Sequence, residues 1–300
     1  MVGDLALDVV LAPERQIEPG TDVPGRVSLR QGGSAANTAR WLARVGCRST
    51  LVCAIGRDSA GRALTKALAA DGVVMRATRV AGARTGRIGV IVEPGGERSF
   101  VADRGAANEL RPDDLHEDWF RALDLLHLPS YSLIDEPLAA AARHALTLAR
   151  GVGAVVSLDL ASIGPLLARG RLHAIELVRS TSADIVFATA TEAAGLLAGG
   201  PIEDLLDLAP IAILKQGSKG ATTLARDGSS RLRFEIATPS VVSGDSTGAG
   251  DAFDAGFLAS WLSSRSSGRS IAAALKRAAL AGHRTAARHL TGPRVELQLG

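Results

Sequence analysis

The stretch VVSGDSTGAGDAFDAGF, Val241 to Phe257, sets three small residues, Gly248, Ala249 and Gly250, directly in front of Asp251. Ala252, Phe253, Ala255, Gly256, Ala259 and Trp261 follow near helical spacing, which predicts a helix with Gly248 to Asp251 as its first turn. The first amides of a helix have no internal partner, and where side chains are small an anion can approach them closely. A carboxylate beside this positive end is expected to stay ionised at neutral pH and to accept a proton from a hydroxyl. An anion cradle with a proton acceptor suits phosphoryl transfer to an alcohol. The same residues also suit a purely structural helix start, capped by Asp245, Ser246 or Thr247.

A second constellation is QGGSAANTARWLARVG, Gln31 to Gly46. Gly32 and Gly33 permit a tight turn with backbone close to a ligand, and Asn37 on the helix that follows can donate to and accept from hydroxyls. A glycine pair before an Ala-rich helix is equally a common packing device. Asp8, just past an apolar strand, lies where open α/β sheets bind ligands. GDSTG, Gly244 to Gly248, also satisfies the GxSxG pattern of a hydrolase nucleophile elbow at Ser246. That reading would need an acid and His283 or His289 from strands that the mostly helical C-terminal segment does not offer. There is no Walker A sequence and no GxGxxG after a strand.

These residues need a scaffold. From about residue 121, short β-branched runs (LDLLHL, AVVSLDL, ADIVF, IAILKQ) alternate with long Ala/Leu segments, the signature of βα units building a parallel sheet covered by helices on both faces. Arg26–Gln31 and Arg84–Gly105 break the rhythm: they have strand composition, a turn at Pro94–Gly96 and no helix, and read as a small antiparallel sheet flapped over the main domain. The expected division is a main α/β domain of residues 1–10, 32–84 and 106–300, with a lid of residues 11–31 and 85–105. The first strand is short, with only Met1 and Val2 before Gly3, as if clipped or begun late.

The totals narrow the function. The 300 residues are 46% hydrophobic and can bury a large core. The net charge of +3, from 34 basic and 31 acidic residues without like-charge runs, argues against a nucleic-acid partner. Cys47 and Cys53 read as reduced, buried thiols. No run reaches the roughly 18 apolar residues of a membrane span, and the acidic N-terminus is unlike a signal peptide, so a cytoplasmic protein is expected.

Together DSTGAGDAF and GGSAANTA resemble the ribokinase-like, or PfkB, family of carbohydrate kinases, over nearly the whole chain. The resemblance implies a three-layer α/β fold with a mostly parallel central sheet and a small antiparallel β lid. It implies an ATP-dependent sugar kinase in which Asp251 is the catalytic base and Gly248, Ala249 and Gly250 form the anion hole. Asp8, Gly32, Gly33 and Asn37 would then hold the sugar. KQGSKGA matches the family's KxGxxG segment, which places Lys215, Gly217 and Gly220 at the nucleotide. Asp245 matches the start of a segment that often binds a monovalent cation such as K⁺. The NxxE motif that organises Mg²⁺ through water falls on TATE, where Glu192 matches and Thr189 replaces the asparagine. A homodimer through the lid is also implied.

Relatives acting on 2-keto-3-deoxy acids tend to carry DxNxR; here DLASI, Asp159 to Ile163, has neither Asn nor Arg, which disfavours a sugar acid. Nucleoside-type relatives stack the base on aromatic rings. This chain is only 3% aromatic, with Phe100 and Tyr131 the nearest candidates, so the first expectation is a neutral pentose or hexose. Nucleoside or sugar-acid kinases, and a non-catalytic sugar-binding or regulatory protein on the same scaffold, are the alternatives. Loss of Asp251 or the glycines would mark the last, and both are intact.

Overall fold

A computed structural model of the chain describes residues 1–239, 245–265 and 268–299. Twelve strands and eight α-helices are found among them. The first part comprises β1 (Ala6–Pro13), β2 (Gly25–Gly32), α1 (Ser34–Arg44), β3 (Thr50–Gly56), α2 (Ser59–Ala70), β4 (Val74–Val80), β5 (Gly86–Val92) and β6 (Arg98–Asp103). The alternating part follows as β7 (Leu125–Pro129), α3 (Leu138–Gly151), β8 (Val155–Asp159), α4 (Ile163–Leu167), α5 (Arg171–Ser180), β9 (Ile185–Thr189), α6 (Ala190–Leu197) and β10 (Ile211–Lys215). A hairpin, β11 (Ala221–Asp227) and β12 (Ser230–Ile236), and two helices, α7 (Ala249–Arg265) and α8 (Ile271–Thr291), complete it.

The main sheet runs β12-β11-β10-β9-β8-β7, with β7 to β10 parallel and the β11–β12 hairpin antiparallel. Its strands alternate between two cores, as a period of two requires. Val156, Leu158, Val186 and Leu214 pack with Ala142 of α3, Val178 of α5 and Leu196 of α6. Val155, Ile185, Phe187 and Ile213 pack on the opposite face with α1, α2, α7 and α8, through residues such as Ala39, Leu64, Phe257 and Leu275. The three layers are thus the two helical faces and the sheet between them. β3 and β4 form a separate parallel pair, and the first residues lie beside β3 through a single bridge, Val2 to Val52. That bridge is the whole of the short first strand.

The small sheet is ordered β2-β1-β5-β6. Two of its pairings are antiparallel as expected, but the central pair, β1 with β5, is parallel. The sequence runs show only the two hairpin-like partners; β3, α2 and β4 form a long crossover that returns the chain beside β1 in the same direction. β1 is one unbroken strand from Ala6 to Pro13, so it crosses the expected boundary at residue 10. Its register puts Asp8, Arg30, Ile88 and Ala102 on one face and Val9, Leu29, Gly89 and Val101 on the other. Among the described residues, no helix is long and apolar enough to cross a membrane.

Candidate active site

The face of the small sheet that carries Asp8 and Ile88 covers a cleft of about 280 Å³, floored by the carboxyl ends of the main strands and the start of α7. Asp8, Gly33, Asn37, Glu192, Lys215, Gly248, Gly250 and Asp251 all line it. Four motifs far apart in sequence therefore meet in one place, where an open α/β sheet is expected to bind ligands.

Asp251 stands in the first turn of α7. Ser34 Oγ donates to its Oδ1 at 2.8 Å, and Asn37 Nδ2 donates to its Oδ2 at 2.9 Å. Gln31 Nε2 donates to Asn37 Oδ1 at 2.9 Å, which fixes the amide with its N–H group towards Asp251. Asn37 thus touches both the base and the cleft. Burial, with the Asp159 carboxylate nearby, pushes the Asp251 carboxyl up from the usual 3.8 to about 7, against the hydrogen bonds from Asn37 and Ser34. The expectation of a fully ionised Asp251 is corrected here: desolvation outweighs the helix end. A carboxyl poised near neutrality is a better proton acceptor than an ordinary one.

Gly248, with φ of +81°, turns the chain into α7, and its carbonyl accepts from the Ala252 N–H at 3.0 Å. The Ala249 N–H is committed to the Ser246 carbonyl at 3.1 Å. The N–H groups of Gly250 and Asp251 have no hydrogen-bond partner among the described residues. The free donors at this helix start, among the described residues, are accordingly the N–H groups of Gly248, Gly250 and Asp251, while that of Ala249 is engaged. Val241–Gly244, the lead-in to this turn, lies outside the described residues.

Asp8 is buried, and burial together with Asp4, Asp251 and Asp245 raises its carboxyl to about 7, against the pull of Arg30. Gly32 does not line the cleft; a Cβ there would lie 1.8 Å from Asp8 Oδ1, so the missing side chain makes room for that carboxylate. Gly33, by contrast, lines the cleft and sits at the N-terminus of α1.

Lys215 is separated from the glycines of its motif. Its Nζ lies 3.1 Å from Asp159 Oδ1 and 3.0 Å from Asp254 Oδ2, beside the start of α7. Burial alone would lower the Lys215 pKa, but Asp159, Asp254 and Glu192 raise it, so the ammonium is retained. Gly217 and Gly220 sit in the turn between β10 and β11, away from the cleft, where Gly220 packs against the Ile236 carbonyl.

TATE has a local explanation that the sequence carried as [ST]-x-x-E. Thr189 caps α6 by accepting from the Glu192 N–H, and Glu192 Oε2 accepts from the Thr189 N–H at 2.7 Å, a capping box. Threonine thus does the work of a cap at the position where the family has asparagine. Glu192 nonetheless lines the cleft, and burial and then Asp159 push its carboxyl up. With one oxygen held by the cap, Glu192 suits Mg²⁺ contacted through water. Among the described residues no group of three acidic, His or Cys side chains forms a direct metal cage. This fits Mg²⁺ carried largely by nucleotide phosphates and their waters.

Asp245 does not fit a monovalent cation. Arg30 Nη1 donates to its Oδ2 at 2.6 Å, the Thr247 N–H to its Oδ1 at 2.9 Å, and Arg294 Nη2 to its carbonyl at 2.6 Å. The hydrolase reading also fails. His289 accepts from Trp41 Nε1 through Nδ1 and contacts the Thr247 carbonyl through Nε2, while His283 contacts the Ile236 carbonyl, so neither is seated on Ser246.

Several residues in or behind the cleft were not anticipated. Ser34 lies inside GGSAAN, between the glycines and Asn37. Asp254 follows Asp251 by three residues, the same-face spacing of a helix. Arg98 and Arg104 also line the cleft, with Arg98 donating to Thr247 Oγ1 at 3.2 Å and Arg104 stacked 3.9 Å from the ring centre of Tyr131, the aromatic candidate, which lines it too.

A family model described as pfkB family carbohydrate kinase matches residues 1–296. The chain belongs to this family. Among curated relatives, the ATP-dependent ribose-1-phosphate kinase of Halopiger xanaduensis is 31% identical over 270 residues, covering 87% of this chain and 83% of that protein. Probable fructokinase-4 of Arabidopsis thaliana is 36% identical over 141 residues, covering 46% of this chain and 43% of that one. For that fructokinase, the match spans less than half of the relative's length. Among solved structures, adenosine kinase from Sinorhizobium meliloti superposes with a TM-score of 0.82 at 26% identity, covering 99% of this chain and 95% of that one. A putative ribokinase II from E. coli, solved with ATP and Mg²⁺, shares the fold with a TM-score of 0.80 at 22% identity, covering 98% and 92%. The fold is shared with both solved structures, and the acceptors that these proteins' names give differ.

Proposed function

We propose that this pfkB-family kinase transfers the γ-phosphoryl group of ATP to a hydroxyl of a small neutral sugar, with Asp251 as general base. The observation that carries this reading is the Asp251 carboxyl, hydrogen-bonded by Ser34 and Asn37, next to the unpartnered N–H group of Gly250. Asp8, Gly33 and Asn37 hold the acceptor, whose hydroxyl faces Asp251. The hydroxyl oxygen bonds to the γ-phosphorus as its proton passes to Asp251, and the bond to the β-phosphate oxygen breaks to release ADP. The Gly250 and Asp251 amides stabilise charge on the transferred group. Bound Mg²⁺ supplies charge neutralisation on the β- and γ-phosphates, and Glu192 is the residue assigned to it. Gly217 and Gly220 are assigned to the nucleotide.

A neutral acceptor is favoured because the cationic side chains that face the cleft are already engaged: Arg104 by Asp4, Arg98 by Thr247, and Lys215 by Asp159 and Asp254. A nucleoside is the second reading. Phe100 and Tyr131 both line the cleft, and Phe100 is 56% exposed, a free ring face on which a base can stack. The experiment is a coupled ADP-release screen over pentoses, hexoses, sugar acids and nucleosides. Turnover of a neutral sugar supports the first reading, preference for a nucleoside selects the second, and turnover of none contradicts both.

The outward face of the lid carries Val27 and Val101, 65% and 68% exposed. Pairing two such faces would bury them in a homodimer. Light scattering at micromolar concentration tests this, and a monomer contradicts it.

A further inference from the structure

The turn into α7 is held from outside by two guanidinium groups. Arg30 reaches it from β2 in the lid, and Arg294 from the segment after α8. Arg30 takes a carboxylate oxygen of Asp245, and Arg294 takes its main-chain carbonyl, each at 2.6 Å. Two residues on, the Thr247 carbonyl contacts His289 Nε2 at 2.6 Å, and Trp41 donating to Nδ1 leaves the proton on Nε2. Burial lowers His289 to about 4, so this ring is neutral and the arginines are the positive charges at the turn.

A carboxylate and nearby main-chain carbonyl oxygens are the hard donors that bind a small hydrated cation. Here N–H donors already occupy them. Access is not the reason, because Asp245, Arg30 and Arg294 line a cavity of about 600 Å³. The turn they fix contains Gly248 and runs directly into Gly250 and Asp251, so its placement sets the aim of the anion-binding amides.

We propose that Arg294, assisted by Arg30, is a built-in substitute for a monovalent cation at Asp245, and that this kinase works without one. Arg294 is a positioning residue: it acts on the phosphoryl group only through the turn. The activity part rests on the kinase reading above; the binding part does not.

The test compares chloride salts of K⁺, Na⁺ and tetramethylammonium at equal ionic strength, using the full-length protein. The wild-type melting temperature is expected to be the same in all three, and its kcat to change by less than about twofold. Arg294→Met is expected to lose about tenfold or more in kcat in tetramethylammonium, since small misplacements of reacting groups are costly. It should recover in K⁺ or on adding guanidinium, and its melting temperature should rise by about 2–4 °C in K⁺ as the vacated oxygens bind the ion. Arg294→Lys should keep most of the cation independence. Activation of wild type by K⁺ of about tenfold overturns the proposal, as does an Arg294→Met protein that matches wild type in every salt. If Arg294→Met does not fold, the wild-type comparison still decides. If no acceptor is phosphorylated, the kinase reading fails while the melting comparison still tests the substitution.

Discussion

Nζ of Lys215 lies 3.0 Å from Oδ2 of Asp254, a fully buried carboxyl one helical turn beyond Asp251. One ammonium here faces two carboxyl groups within bonding distance, those of Asp159 and Asp254, and a third in Glu192. Removing the cation strands buried carboxyls, whose protonation or hydration must then compensate. Lys215→Met should destabilise the protein by about 3–5 kcal/mol in urea unfolding. Adding Asp254→Leu should recover a large part of that loss, because a well-packed apolar pair replaces a buried charged one. A single mutant with wild-type stability would show that the ammonium carries no structural charge.

The pH profile follows from burial. Asp251 must be ionised to accept a proton, and both it and Asp8 titrate at about 7 in the folded protein. With saturating Mg²⁺, kcat/KM is expected to rise from pH 5.5 to pH 8 with an apparent pKa of about 7 that belongs to the pair. A flat profile over that window would mean that neither carboxyl is the base.

Glu192→Gln keeps the shape of the capping box but removes the charge facing the cleft. The Mg²⁺ concentration for half-maximal rate should rise by about tenfold, as for loss of an outer-shell ligand, with a smaller change in acceptor KM. Equal metal dependence in the two proteins would leave Glu192 as a helix cap only.

The βα alternation, the lid and the convergence of Asp8, Asn37 and Asp251 were legible because each rests on a local pattern: period-two apolar runs, a Pro-Gly turn, a glycine-rich helix start. What was not legible depends on through-space partners. The parallel β1–β5 pairing needs a crossover that leaves no mark in either strand. Lys215 belongs to a nucleotide-like motif by spacing, yet its side chain turns to Asp159 and Asp254, which lie 56 and 39 residues away. The shift at Asp251 was missed because a helix terminus is visible in a sequence and the burial around it is not. Asp245 was read as a cation ligand for the same reason: its arginines come from β2 and from beyond α8.

The central claim is that Asp251 takes the hydroxyl proton, and Asp251→Asn tests it most directly. Asparagine can keep the hydrogen bond from Asn37 through its one oxygen and donate its NH2 to Ser34 Oγ, but it cannot take the proton. The folded carboxyl, at about 7, lies above its unfolded value of 3.8, so folded protein holds a proton between those values and loses stability as pH rises through that window. Asp251→Asn, neutral throughout, should therefore gain in melting temperature over wild type as pH rises through that window, by more at pH 8 than at pH 5. In the same protein at pH 8, kcat should fall by about 10²–10⁴-fold with acceptor and ATP affinity little changed. A variant that keeps more than about a tenth of the wild-type kcat would contradict the account.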